Sequence, residues 1–149
     1  MIGVLDNSFK TGAARCVEKP RPPLMTDEPQ IETAVLEANE AFYSAFARGD
    51  FDAMGDIWGK AGPIAVEHPG SARTLGRGEV LQSWRMILRA PPPLTATVED
   101  VIADEDQWAV ICQEDLGRVV LRMVNVFHQE DGVWKMIYHG PAPDRRLSS

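Results

Sequence analysis

Apolar positions recur with helical spacing in three stretches up to Arg89, then switch to strand-like alternation beyond Pro93. In the first stretch Ile31, Val35, Ala38, Phe42 and Phe46 fall on one helical face. Asp27 is the expected N-cap, Gln30 sits at capping-box spacing, Pro29 lies in the first turn and Gly49 is the stop. Asp50 opens a short second helix with Phe51, Met54, Ile57 and Trp58 as its stripe. A third runs from about Gly78 to Arg89 on Val80, Leu81, Trp84, Ile87 and Leu88, ended by Pro91-Pro92-Pro93. Between the second and third helices, Ile64 to His68 reads as a short apolar strand stopped by Pro69-Gly70, with a loop through Arg73 to Gly76. Four further strands are expected at 94–103, 107–116, 118–129 and 133–140, the last two joined by Asp131-Gly132, a pair suited to positive φ angles in a tight hairpin turn.

Helix, helix, short strand, helix and an antiparallel meander make an α+β layout, helices packed on one face of a curved sheet. A pocket between the concave face and the helices is the natural ligand site. The 118–127 strand is apolar on both parities, with Val119, Leu121 and Met123 alternating with Val120, Val124 and Val126. Burial on both faces follows. Helices account for one, and a homodimer through the outer sheet face is the expectation for the other.

Composition narrows the function. A chain of 149 residues with 44% hydrophobic and 25% charged positions suits one folded domain, read as residues 26–149 behind an extended arm at 1–25 rich in Pro and Gly. A net charge of −7 argues against a nucleic-acid partner. No apolar run reaches bilayer length and the first ten residues lack a signal-peptide pattern, so no membrane partner and a cytoplasmic location are expected. Neither Cys16 nor Cys112 has an obvious base partner, Cys112 reads as a core hydrophobe, and no phosphate-binding glycine motif or nucleophile elbow occurs. No cofactor is expected.

Several segments together resemble the nuclear-transport-factor-2-like superfamily, in its SnoaL-like and ketosteroid-isomerase-like branch. They are Ala41 to Asp50, Ala65 to Gly70, Leu75-Gly76-Arg77 ahead of Trp84, Val124 to Phe127, and Gly132 to His139, spanning about residues 30–142. The resemblance implies a cone-shaped barrel in which a strongly curved antiparallel sheet wraps the N-terminal helices. In ketosteroid-isomerase-like enzymes a base ends the first strand before a proline; here that position is His68, before Pro69. Those enzymes also present a tyrosine from the first helix and an acid from the penultimate strand. Gapless alignment puts Phe42 and Val124 there, with Tyr43 and Asn125 one residue off, so steroid isomerisation is not expected.

His68 is therefore the candidate general base, an imidazole needing no large pKa shift to act near neutrality. Asn39, Tyr43, Trp84, Glu114, Asn125 and His139 are the candidate pocket-lining residues for a small apolar ligand. Counting across the Asp131-Gly132 turn places His139 opposite Val124 and Ile137 opposite Val126. Glu67 should point away from His68 by strand alternation, His128 should be exposed, and Arg122 is either a paired sheet residue or a dimer contact. Two histidines without a third placed ligand do not make a metal site. Two functions remain open: a small-molecule isomerase, cyclase or lyase, and a non-catalytic ligand-binding or dimerisation module.

Overall fold

The computed structural model describes residues 23–143, with side chains from Glu28 onward. It divides into a unit ending at Thr33 and a unit from Ala34 onward. In the first, the described residues form the opening turns of a helix, where the Thr33 hydroxyl donates to the Pro29 carbonyl at 3.0 Å. That helix, α1 (Pro23–Arg48), starts upstream of the expected Asp27 cap. Proline is at home in a first helical position, so Pro23 can open the helix. The proposed arm lies outside the described residues, Cys16 included, except for its last three positions, which already belong to α1.

The second unit continues through α2 (Phe51–Ile57), β1 (Ala65–Val66), β2 (Thr74–Leu75), α3 (Arg77–Leu88), β3 (Thr95–Ala103), β4 (Gln107–Asp115), β5 (Val120–Glu130) and β6 (Val133–Pro141). Asp50 caps α2 by accepting from the Ala53 N–H at 3.0 Å, as its position suggested. Residues 74–75, expected as loop, pair antiparallel with β1. The sheet is curved, unclosed and mixed, with strand order β2-β1-β6-β5-β4-β3. β1 runs parallel to β6, and the other ladders are antiparallel. This is an α+β fold of the cone type.

Two charged residues tie the helices and loops to this frame. Arg77, at the start of α3, donates to the carbonyls of Trp58 and Gly59 at 2.8 Å each and of Gly55 at 3.0 Å, satisfying groups left open where α2 ends. Glu130, at the end of β5, accepts from the Lys60 and Ala61 N–H groups and pairs with His128 at 2.7 Å. Burial alone would raise its carboxyl, but these donors hold it down at about 2. His128 is thus half-buried and paired rather than exposed. Arg122 proves to be a paired sheet residue, 2.6 Å from Glu99 and donating to the Pro143 carbonyl.

The turn joining β5 and β6 has Asp131 at φ 52° and Gly132 at φ 80°, as Asp-Gly allows. The register set there does not persist. Phe127 faces Met136, but Val126 faces Tyr138, so Ile137 is an extra residue in β6. This β-bulge corrects the simple count. His139 lies opposite Asn125, not Val124, and Tyr138 rather than Ile137 lies opposite Val126. The concave face consequently carries Glu114 and Cys112 from β4, Met123 and Asn125 from β5, and His139 from β6, all at most 5% exposed. No helix among the described residues is long and apolar enough to cross a membrane.

Candidate functional site

A cavity of about 340 Å³ opens between α3, the proline segment after it and the concave face of the sheet. Its walls are largely apolar: Phe46, Trp84 and Ile87 from the helices, and Leu94, Leu116 and Leu121 from the sheet side. Met86 and Pro92, both exposed, stand at its rim. Among the described residues three titratable side chains line it, His68, Glu114 and His139, and no lysine or arginine does. Helical spacing marked Trp84 and Ile87 in the sequence. Strand alternation marked Leu121, while Leu94 and Leu116 carried no signal, being apolar residues beside turns.

His68 follows β1 and is half-buried. Its ring stands edge-on to Trp84, centroids 4.8 Å apart. Nε2 lies 3.0 Å from Ser83 Oγ, and that hydroxyl donates to the Val80 carbonyl at 2.6 Å. With its one proton used, Ser83 must accept from His68, which places hydrogen on Nε2 and leaves Nδ1 as the basic nitrogen. Burial lowers the pKa of His68, so the ring is neutral near pH 7. Ser83 is a contributor that the sequence did not single out, since a serine on a helix face is unremarked until its partner is known. Glu67 turns aside, as alternation predicts, to pair with Arg73 at 3.4 Å.

Behind the cavity wall lies a buried chain of polar groups with one consistent direction. His139 Nδ1–H donates to Asn125 Oδ1 at 2.5 Å. Asn125 Nδ2 donates to Asn39 Oδ1 at 2.8 Å and to the Tyr43 oxygen at 3.1 Å. Tyr43 O–H donates to Glu114 Oε2 at 2.6 Å. The Asn39 amide closes on Cys112 Sγ at 3.5 Å. Cys112 is a buried thiol, raised by burial, and does not border the cavity.

The candidate residues thus separate. His68, Trp84, Glu114 and His139 line the cavity together. Asn39, Tyr43 and Asn125 do not; they stand behind it and touch it only through Glu114 and His139, while Asn39 and Tyr43 border a separate depression beside β3. Tyr43 and Asn125, each one residue off in gapless alignment, are nonetheless bonded to each other.

Burial, then the charge of His68, lowers the pKa of His139 to about 3, so this imidazole is neutral with a bare Nε2, 3.9 Å from Glu114 Oε2. Burial raises Glu114, and the Tyr43 bond offsets part of that rise. Tyr43 is raised far above its ordinary value, by burial and then by Glu114, and keeps its proton. Among the described residues no three His, Cys, Asp or Glu side chains are grouped to hold a metal ion.

A comparison with curated proteins found no match. The family model described as SnoaL-like domain matches residues 35–142. The crystal structure of a candidate dehydratase of the nuclear-transport-factor-2-like family from Streptomyces avermitilis is 31% identical, covering 78% of this chain and 99% of that one, with a TM-score of 0.64. A candidate association domain of calcium/calmodulin-dependent protein kinase type II from Thiobacillus denitrificans is 28% identical over 71% of this chain and 93% of its own, with a TM-score of 0.61. A ketosteroid isomerase-like protein from Erwinia carotovora atroseptica, 16% identical over 72% of this chain and 92% of its own, shares the fold with a TM-score of 0.60. The match over most of the described chain, on a cone-type sheet, places this protein in the SnoaL-like family of the nuclear-transport-factor-2-like superfamily.

Proposed function

We propose that this protein binds a small, mainly apolar organic molecule in the cavity and moves a proton on it, with His68 as the base. One observation carries the reading: a neutral imidazole, its Nε2–H held by Ser83, borders a cavity that is apolar apart from Glu114 and His139. A neutral imidazole is competent to accept a proton from carbon near pH 7, and apolar walls strengthen its interaction with charge that develops on the ligand. Tyr43 and Asn125 act as positioning residues for the cavity's polar wall. Isomerisation, cyclisation and elimination all fit this arrangement, each beginning with removal of a proton. The Streptomyces avermitilis relative, described as a candidate dehydratase, points toward the same chemistry.

The test is an NMR titration of the His68 ring with and without 1-tetralone, a neutral bicyclic ketone. The ring is expected to titrate below the ordinary imidazole value, because burial lowers it, and to shift when 1-tetralone enters. A ring that titrates as in a free peptide and ignores 1-tetralone defeats the reading.

A second reading, a non-catalytic ligand-binding or association module, is favoured by the likeness to the Thiobacillus denitrificans association domain. On either reading we propose a homodimer through the outer sheet face, where Ile111 and Val124 pair at the centre and Ile102 and Val120 are about half exposed. Sedimentation at micromolar concentration should give a dimer, and a clean monomer counts against it.

A further inference from the structure

We propose that His139 is the specificity-determining residue of the cavity: its Nε2 accepts a hydrogen bond, so the ligand carries a hydroxyl group on an otherwise apolar skeleton. The inference rests on the reading of the cavity as a ligand site and adds the polar group that the ligand must present.

Direction in the buried network decides which ring nitrogen is bare. Asn39 turns its nitrogen to Cys112 Sγ and its oxygen to Asn125 Nδ2. Asn125 Nδ2 spends its hydrogens on that oxygen and on the Tyr43 oxygen, so Asn125 Oδ1 is left to face His139 Nδ1. Tyr43 in turn gives its single proton to Glu114 Oε2. Facing an amide oxygen, Nδ1 must carry the hydrogen, and Nε2 is then an acceptor only. Turning the Asn125 amide over would set its oxygen against Asn39 Oδ1 at 2.8 Å and against the Tyr43 oxygen at 3.1 Å. Asn39 would have to turn with it, and Tyr43 would have to withdraw its proton from Glu114. Side chains from α1, β4 and β5 together hold the tautomer.

The ring is fixed as firmly as its proton. His139 pairs with Asn125 of β5 through the backbone, and its carbonyl accepts from the Glu67 N–H at 2.8 Å. Phe42 and Trp84 stand against the imidazole, with centroids 5.1 and 5.6 Å away. Nε2 makes no hydrogen bond among the described residues, since Glu114 Oε2, at 3.9 Å, is out of range. Nor is it one of the enclosed polar atoms left without a partner, which are the indole nitrogens of Trp58 and Trp84. His139 is 3% exposed and lines the cavity, so the opening left to this nitrogen is the cavity itself. Burial keeps the imidazole neutral near pH 7, and Nε2 stays an acceptor.

A desolvated acceptor aimed into apolar space selects by what it is offered. A ligand hydroxyl supplies the hydrogen that Nε2 lacks. A carbonyl or ether oxygen in the same place sets lone pair against lone pair and leaves the nitrogen unsatisfied. A site built on one such bond rejects an analogue without the donor more strongly than it rejects a small change in the apolar skeleton.

Nitrogen NMR of the intact chain, with isotope-labelled histidines, tests this using 1-tetralol, its ether 1-methoxytetralin, and 1-tetralone. In the free protein His139 should carry its hydrogen on Nδ1 and show a bare Nε2. 1-Tetralol should move the Nε2 resonance upfield, as accepting a hydrogen bond does, and should bind about fivefold tighter than the ether or the ketone. Asparagine keeps a donor near the place of Nδ1 and removes Nε2, so His139→Asn should bind the three compounds within about twofold of one another. A hydrogen on Nε2 in the free protein overturns the proposal without any ligand. So do equal affinities for alcohol and ether, or a preference for the alcohol that survives in His139→Asn. Should that variant not fold, the resonance and the affinities of the original chain decide. If 1-tetralol moves the His68 ring and leaves His139 Nε2 unmoved, the role of His139 is overturned and the His68 reading stands. No response from either ring overturns both.

Discussion

Replacing Asn125 with alanine should destabilise the protein by about 3–5 kcal/mol, because an unmatched buried donor or acceptor costs about 1–3 kcal/mol and several are created at once. Asn125 is fully buried, and its amide meets His139, Asn39 and Tyr43. Without it, His139 Nδ1–H and Asn39 Oδ1 lose their partners in a space of the same low polarity, and the Tyr43 oxygen loses its donor. The groups act as one network, so the losses are not the sum of separate bonds. Urea unfolding reads the effect as a lower midpoint at unchanged slope. A loss below about 1 kcal/mol, the net worth of one ordinary hydrogen bond, would mean that these groups find other partners and that the direction assigned to the network is wrong.

The second large effect is a biphasic dependence of stability on pH. His139 has its folded pKa depressed to about 3, so the unfolded chain binds a proton that the native state refuses. Its contribution is complete above the ordinary value of 6.5 and is lost as pH falls toward about 3, at about 1.4 kcal/mol per pH unit within that window. His68 acts with the same sign. Glu114 acts with the opposite one: its folded pKa is raised, so its contribution is complete below the ordinary 4.5 and is lost as pH rises through the folded value. The histidines and Glu114 therefore oppose each other above pH 4.5. Below it the opposition ends, and Glu130, held at about 2, joins the histidines. Stability should fall gently as pH drops to 4.5 and steeply beneath it. Urea midpoints from pH 7 to pH 3 give the curve. Glu114→Gln should steepen the upper limb and leave the lower one alone. A single uniform slope, or an unchanged upper limb in the variant, contradicts this assignment of charges.

The helices and the four long strands were legible because their signals are local. Repeats such as Val80, Trp84 and Leu88, and the Asp131-Gly132 turn, act over a few residues. The inward placement of Glu114 and Asn125 was legible as residue type, a polar group in an apolar strand, whereas the count across the turn set His139 opposite Val124, on the other face. Their connectivity was not. The partner of Tyr43 lies 71 residues away on another element, and Ser83 lies 15 residues from His68. Nothing in the spacing of either pair announces the bond. The extra residue in β6 was invisible for a different reason. The turn fixes pairing only near itself, and where the bulge falls depends on neighbours from other parts of the chain. Trp58 bridges to Met136 on one side of Ile137, and Ala65 of β1 pairs with Tyr138 on the other.

That extra residue lets the sheet keep its chemistry while the chain changes length. With Ile137 deleted, Met136, Tyr138 and His139 would follow one another opposite Phe127, Val126 and Asn125, the pairing that they hold now. Taking Ile137 into regular pairing instead would bring Tyr138 to the position that His139 holds and turn the imidazole outward. A lineage could thus gain or lose this one residue and keep the buried imidazole, provided that the bulge comes and goes with it. Relatives aligned here without a gap would be credited with the wrong residue. Deciding which of them share this site requires knowing their hairpin lengths before reading their letters.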